Sequence, residues 1–167
     1  MQKRYRINDG RLVEVTDALA PVTVFIKPTE AEKRYCIEEL KIDEHNLHSA
    51  LDPDELSRIE FEPQHEVVIF SRPQNYSTAD RFLFKCGTVG AFLFKDRLIL
   101  VVSEDVPLFD SVQVSRVQTN GGLLLKLVLG AVLHFRGHLK GISLIADELQ
   151  EALAQAMDNR HLYQLFS

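Results

Sequence analysis

Residues 91–102 read Ala91-Phe92-Leu93-Phe94-Lys95-Asp96-Arg97-Leu98-Ile99-Leu100-Val101-Val102, and this stretch decides the fold. Two apolar runs flank Lys95-Asp96, a connection that is short enough for a β-hairpin. Lys-Asp is a poor pair for a two-residue type I′ turn, so a three- or four-residue turn is expected. Upstream, Val67-Val68-Ile69-Phe70 is apolar without alternation, as in a strand covered on both faces. Between these runs, Asn75 to Thr78 reads as a loop, and Phe82, Phe84 and Cys86 alternate with Arg81, Leu83 and Lys85. Gly87 and Gly90 are expected to bracket a turn region. Ile59 and Phe61 alternate with Arg58, Glu60 and Glu62, which predicts a half-buried strand with a charged face.

Further toward the N-terminus, Val22 to Ile26 is a β-branched strand, and Arg11 to Val15 alternates weakly as another. Thr29 and Glu32 have capping-box spacing, so a helix starts near Glu30 with Cys36, Ile37 and Leu40 on its inner face. Asp43 is placed to cap a second, short helix carrying Leu47, Ala50 and Leu51. Asp52-Pro53-Asp54 ends it, because the residue before a proline is pushed out of the α region.

Beyond Ser103 the strands stop. Val106 to Val117 reads as a short helix with a loop, and from Gly122 onward the pattern is helical. Phe135, Leu139, Ile142, Ala146, Leu149, Leu153 and Ala156 step alternately by four and three, a heptad seam of about three repeats. The chain is therefore divided into a mixed strand and helix part, 1–121, and a helical extension, 122–167, within a single domain. Leu162, Leu165 and Phe166 continue the apolar pattern to Ser167 without a cap, which predicts that further chain covers them, the alternative being a frayed terminus.

The 167 residues are 46% hydrophobic and 26% charged, the balance of a globular protein with a core. With 19 Lys+Arg against 24 Asp+Glu the net charge is -5, which disfavours nucleic acid as a partner. The basic N-terminus leads into no apolar signal core. The most apolar stretch, Leu123 to Leu133, is interrupted by Lys126 and is too short to span a bilayer, which takes about 20 residues.

Catalytic signals are sparse. Two cysteines allow no four-Cys zinc site, and both Cys36 and Cys86 read as small core hydrophobes. His134 and His138 share a helix face but lack the glutamate of a zinc enzyme, so a solvated face is expected. His45 and His48 are expected to be exposed. No phosphate loop and no nucleophile motif is present, and no enzyme is predicted. The acidic turn residues Asp52, Asp54 and Glu55, with Asp43-Glu44 nearby, suit a hard cation needing oxygen ligands, although an ordinary capping turn explains the same spacing.

The order of elements, with Ile42 to Leu51, Asp52 to Glu62, Val67 to Phe70, the hairpin around Lys95-Asp96-Arg97 and the final helix, resembles the cytoplasmic N-terminal domain of CorA-type magnesium transporters. The resemblance covers the chain from about Val22 to Ser167. It implies an α/β fold, an α/β/α sandwich around a mixed sheet, followed by a long helix leading toward a membrane part. It also implies a regulatory domain at the cytoplasmic face of the inner membrane, in a homopentamer that carries Mg²⁺ or Co²⁺ and senses Mg²⁺. The family's Gly-Met-Asn motif is absent from these residues. Ser49 falls where the family often carries an acidic ligand for regulatory Mg²⁺, so either the metal site has moved, to Asp52 and Asp54, or this member is gated differently. Carboxylates 4 Å apart across a subunit boundary repel by about 4 kcal/mol at an effective dielectric near 20, and a bound divalent cation reverses that sign. The competing expectation is a free-standing ligand-binding or protein-interaction module of the same fold.

Overall fold

The computed structural model describes residues 1–74, 85–105, 108–109 and 116–165, the last nine of them as backbone. The elements in chain order are β1 (Gln2–Asn8), β2 (Arg11–Glu14), β3 (Val22–Ile26), α1 (Glu30–Glu38), α2 (Glu44–Ser49), β4 (Arg58–Phe61), β5 (His65–Pro73), β6 (Cys86–Phe94), β7 (Leu98–Val102) and α3 (Asn120–Leu165). The strands form one sheet in the order β2-β1-β3-β7-β6-β5-β4. Among the described strands only β3 and β7 pair in parallel, which makes the sheet mixed. The chain divides into two compact units, Met1–Val132 and Leu133–Ser167.

The first unit is the expected α/β/α sandwich. Each central strand is apolar on both faces because each face is covered. On one face Val24, Ala91 and Leu100 meet Leu123, Leu124, Leu127 and Ala131 from the start of α3. On the other Phe25, Ile69, Phe92 and Val101 meet Cys36 and Leu40 near α1, and Leu47 and Ala50 near α2. Thr29 and Glu32 close the capping box of α1, and Asp43 caps α2 by accepting from the backbone N–H of His45 and Asn46. The central hairpin is as expected: Leu93 pairs with Leu98, and the Phe94 N–H donates to the Arg97 carbonyl across a four-residue turn.

Four expectations need correction. Gly87 and Gly90 lie inside β6 rather than at a turn. Glycine stands at 90 because α2 comes so close there that a Cβ would lie 2.2 Å from Ala50 Cβ. Strand β4 is inverted: Arg58 and Glu60 are the half-buried side, while Ile59 and Phe61 are 62% and 81% exposed. The charged side turns inward because polar groups of α2 await it. Cys86 is exposed at the outer end of β6, whereas Cys36 is buried, and desolvation, then nearby Glu32, pushes its thiol up to about 12. His138 is buried, its ring set edge-on 4.5 Å from that of His134 one turn earlier, so the solvated face fails there.

The loop at 75–78, most of the alternating run ending at Cys86, most of the helix at 106–117 and the side chains of Leu162, Leu165 and Phe166 lie outside the described residues. In the second unit α3 continues as a single helix, and Leu139, Ile142, Leu149 and Leu153 of the heptad seam are exposed on it. By length and composition alone, the part Asn120–Ala156 of α3 contains an 18-residue stretch apolar enough to cross a membrane, with mean hydropathy 1.3 and 33% of it buried. The N-terminal part of α3 carries Leu123, Leu124, Leu127 and Ala131, which pack on the sheet, so core packing accounts for the apolar stretch around Lys126.

Candidate metal centre and the Arg58 network

Helix α2 and its C-cap place Asn46, Ser49 and Ala50 on the side facing the sheet, and all three are buried. Ala50 can be buried as it stands, but an amide and a hydroxyl need partners there. Strand β4 supplies them. Arg58 Nη2 donates to Asn46 Oδ1 at 3.2 Å and to Ser49 Oγ at 3.0 Å. Its Nη1 pairs with Glu55 at 2.9 Å, and its Nε with Glu60. One guanidinium thus joins α2, the turn after it and the edge strand. Planar Arg, with five fixed donors, suits such a junction as a flexible Lys would not.

The carboxylates respond accordingly. The Ser49 hydroxyl, then the Leu56 N–H and Arg58, hold the Glu55 carboxyl below its usual range. Arg58, then the Asn46 amide, does the same for Glu60. Depressed carboxyl values stabilise the fold above the ordinary range near pH 4.3, and that contribution is lost as pH falls through the folded values.

Ser49 is therefore already committed, with Arg58 supplying the positive charge beside it. A metal ion at Ser49 Oγ would stand against the guanidinium 3.0 Å away. Asp52 and Asp54 are exposed on the turn after α2, and Asp52 Oδ1 accepts from the Asp54 backbone N–H at 2.9 Å. That bond shapes the turn and leaves the other carboxylate oxygens toward solvent. Among the described residues no three His, Cys, Asp or Glu side chains converge closely enough to hold a metal by themselves. His45 and His48 lie exposed on α2. Sequence reasoning placed Arg58 on the charged face of its strand but gave it no role, because its partners come from α2 and the turn after it.

Arg58→Ala is expected to lower the unfolding free energy by about 2 kcal/mol, because it leaves the buried amide of Asn46 and hydroxyl of Ser49 short of a partner. Urea denaturation followed by circular dichroism measures this. A loss below about 0.5 kcal/mol, the range of ordinary surface changes, would show that the network does not anchor α2.

No family model matches the sequence, and no curated protein matches it at sequence level. Solved structures match the fold. The soluble domain of CorA from Methanocaldococcus jannaschii is similar with a TM-score of 0.68 at 14% identity, over 91% of this chain and 63% of that one. The chain has the fold of the CorA soluble domain. The full-length CmaX protein gives a TM-score of 0.68 at 13% identity over 88% of this chain and 50% of that one. The cytoplasmic domain of ZntB from Vibrio parahaemolyticus RIMD 2210633 gives 0.63 at 11% identity, over 87% and 63%. This chain thus spans about half to two thirds of the CorA-fold proteins it matches. At such identities the likeness is one of fold, and the Arg58 network is described for this chain alone.

Proposed function

We propose that the chain is the cytoplasmic regulatory domain of a CorA-like divalent-cation transporter, which responds to intracellular Mg²⁺ and biases a pore formed elsewhere in the assembly. The observation that carries this reading is the CorA fold over 91% of the chain, with the sandwich and the long final helix both matched. In this reading the domain assembles as a homo-oligomer, a pentamer as in the family it resembles, at the inner face of the membrane. The exposed seam Leu139, Ile142, Leu149 and Leu153 supplies an apolar stripe for a neighbouring copy. No catalytic step belongs to the reading.

Asp52 and Asp54 are the proposed contribution of each copy to Mg²⁺. Two exposed carboxylates do not make a closed site, so water and a neighbouring copy would complete the octahedral shell that Mg²⁺ requires. Such binding is weak, as a sensor of millimolar Mg²⁺ needs. It would stabilise the associated form by about 2.7 kcal/mol at a hundredfold excess over the dissociation constant.

The test is sedimentation and thermal unfolding of the protein with and without millimolar Mg²⁺, at constant ionic strength. Association and midpoint are expected to rise with Mg²⁺, and Asp52→Asn with Asp54→Asn is expected to abolish both changes. Indifference of the wild type to Mg²⁺ would overturn the sensing role. A Mg²⁺ response that survives the double substitution would move the site elsewhere.

A further inference from the structure

Strand β5 begins with His65, which is 6% exposed. Its ring stacks on Phe94 at 4.5 Å and 26°, and lies 5.9 Å from Phe92. Both ring nitrogens are shut off from solvent, and neither has a hydrogen-bond partner among the described residues. A buried imidazole without partners is costly when neutral and far more so when charged, because each added N–H is an orphan donor. The surroundings explain why it is held neutral. Burial lowers its affinity for a proton, and Glu62 and Glu66 only partly counter this.

The position is a junction. The Glu62 N–H donates to the His65 carbonyl, closing the turn between β4 and β5, and His65 pairs with Phe94 at the end of the β5–β6 ladder. A groove on one side is lined by Lys41, Asp43 and Glu44 from the segment entering α2. A groove on the other side is lined by Glu66, Lys95, Thr119 and Asn120, where α3 begins. Arg97 lies 4.7 Å from the centre of the Phe94 ring. The charges facing His65 are thus Glu62 and Glu66 from its own turn and strand, Lys41, Asp43 and Glu44 from the α2 side, and Lys95 and Arg97 from the β6–β7 turn. Inside the aromatic stack no acceptor reaches the ring, whereas either groove offers water and carboxylates.

We propose that His65 is a pH-operated latch: the neutral ring pins the β4–β5 turn onto Phe94, and protonation releases the ring into a flanking groove and frees that end of the sheet. The direction follows from the environment. The folded ring takes a proton less readily than the unfolded one, which titrates near pH 6.5. The latch is therefore fully closed above about pH 6.5 and its contribution is lost as pH falls below that value. The consequence is a domain whose acidic rim, from Asp43 to Glu66, loosens when its surroundings acidify.

The test compares the wild type with His65→Phe, which keeps the stack and removes the proton site. Unfolding constants from urea denaturation are measured between about pH 7.5 and 5.5. The wild-type constant is expected to rise relative to the variant by up to about tenfold per pH unit below 6.5, the limit for one proton. Parallel profiles would overturn the latch. Should His65→Phe fail to fold, the ring proton resonances of the wild type decide the matter. His65 is expected to stay neutral below about pH 6.5, where a free imidazole takes up a proton, and titration at that ordinary value would overturn it. Amide exchange, corrected for its intrinsic pH dependence, is expected to quicken at 62–66 before the β7 amides. Uniform exchange along the sheet would show that acid loosens the whole domain and that no local release exists.

Discussion

Replacing Gly90 with alanine is expected to destabilise the protein by about 3 kcal/mol, the upper end of the cost of overpacking. The reason is geometric. The new Cβ would lie 2.2 Å from Ala50 Cβ and 3.2 Å from Ala50 Cα. Neither atom is the tip of a flexible side chain, so relief requires moving the end of α2 or bending β6. The Phe92 ring, 3.3 Å from the same point, blocks escape along the strand. Strand β6 cannot bend cheaply either, since Gly90 is paired with Ile69 on one side and Val101 on the other. For a chain of this size the midpoint of thermal unfolding should fall by roughly 6–12 °C. Ala50→Gly in the Gly90→Ala background removes the nearest atom and should recover part of the loss, making the pair non-additive. Equal melting of Gly90→Ala and the wild type would mean that α2 is not seated on β6 in solution.

That glycine shows where sequence reading stops. Gly90 reads as a turn residue because turns are the commonest local reason for glycine. The actual reason is a helix forty residues earlier in the chain, which no local window contains. Strand β4 is the same lesson in another form. Its alternation is plain, but the inward face is chosen by the buried Asn46 and Ser49, whose need for a donor outweighs the burial of Ile59 and Phe61. The elements whose causes are local were legible: the capping box at Thr29, the Asp43 cap, the runs Val22 to Ile26 and Ala91 to Val102. Strand β1 also has a local cause. Tyr5 and Ile7 alternate with Arg4, Arg6 and Asn8, and Asp9-Gly10 is a strong two-residue hairpin signal. Both residues take positive φ, 48° and 74°, as a type I′ turn requires.

The candidate sites divide along the same line. Asp52 and Asp54 could be named from sequence because carboxylates in a turn are visible to the eye. The guanidinium that fills the polar space beneath α2 could not, because its partners are gathered from 46 to 60 by the packing of a helix on an edge strand. In the sequence His65 is only part of the Pro63-Gln64-His65 turn. Its isolation depends on Phe92 and Phe94, some thirty residues away and adjacent only through the β5–β6 register.

Phe92→Ala carries the other large effect, an expected loss of about 4 kcal/mol. Phe92 has no exposed surface and lies in a row with Val67 and Ile99, its partners on the neighbouring strands. All three face the α1 and α2 side of the sheet. Truncation removes the transfer energy of the ring and leaves a cavity. The backbone around it is fixed on both sides by ladder hydrogen bonds, so it cannot collapse to fill the space, and the cost belongs high in the range for such changes. Phe92→Leu retains most of the volume and should lose less than half as much, which separates the cavity from the chemistry of the ring. The alanine variant also strips one aromatic wall from His65, admitting water to a ring that is otherwise sealed. Its destabilisation by mild acid should therefore be smaller than that of the wild type even though its stability at neutral pH is lower. Calorimetric melts across that range report both quantities from one sample. A loss under about 2 kcal/mol would mean that this face collapses around the missing ring, and the tight seating of α2 inferred at Gly90 would fall with it.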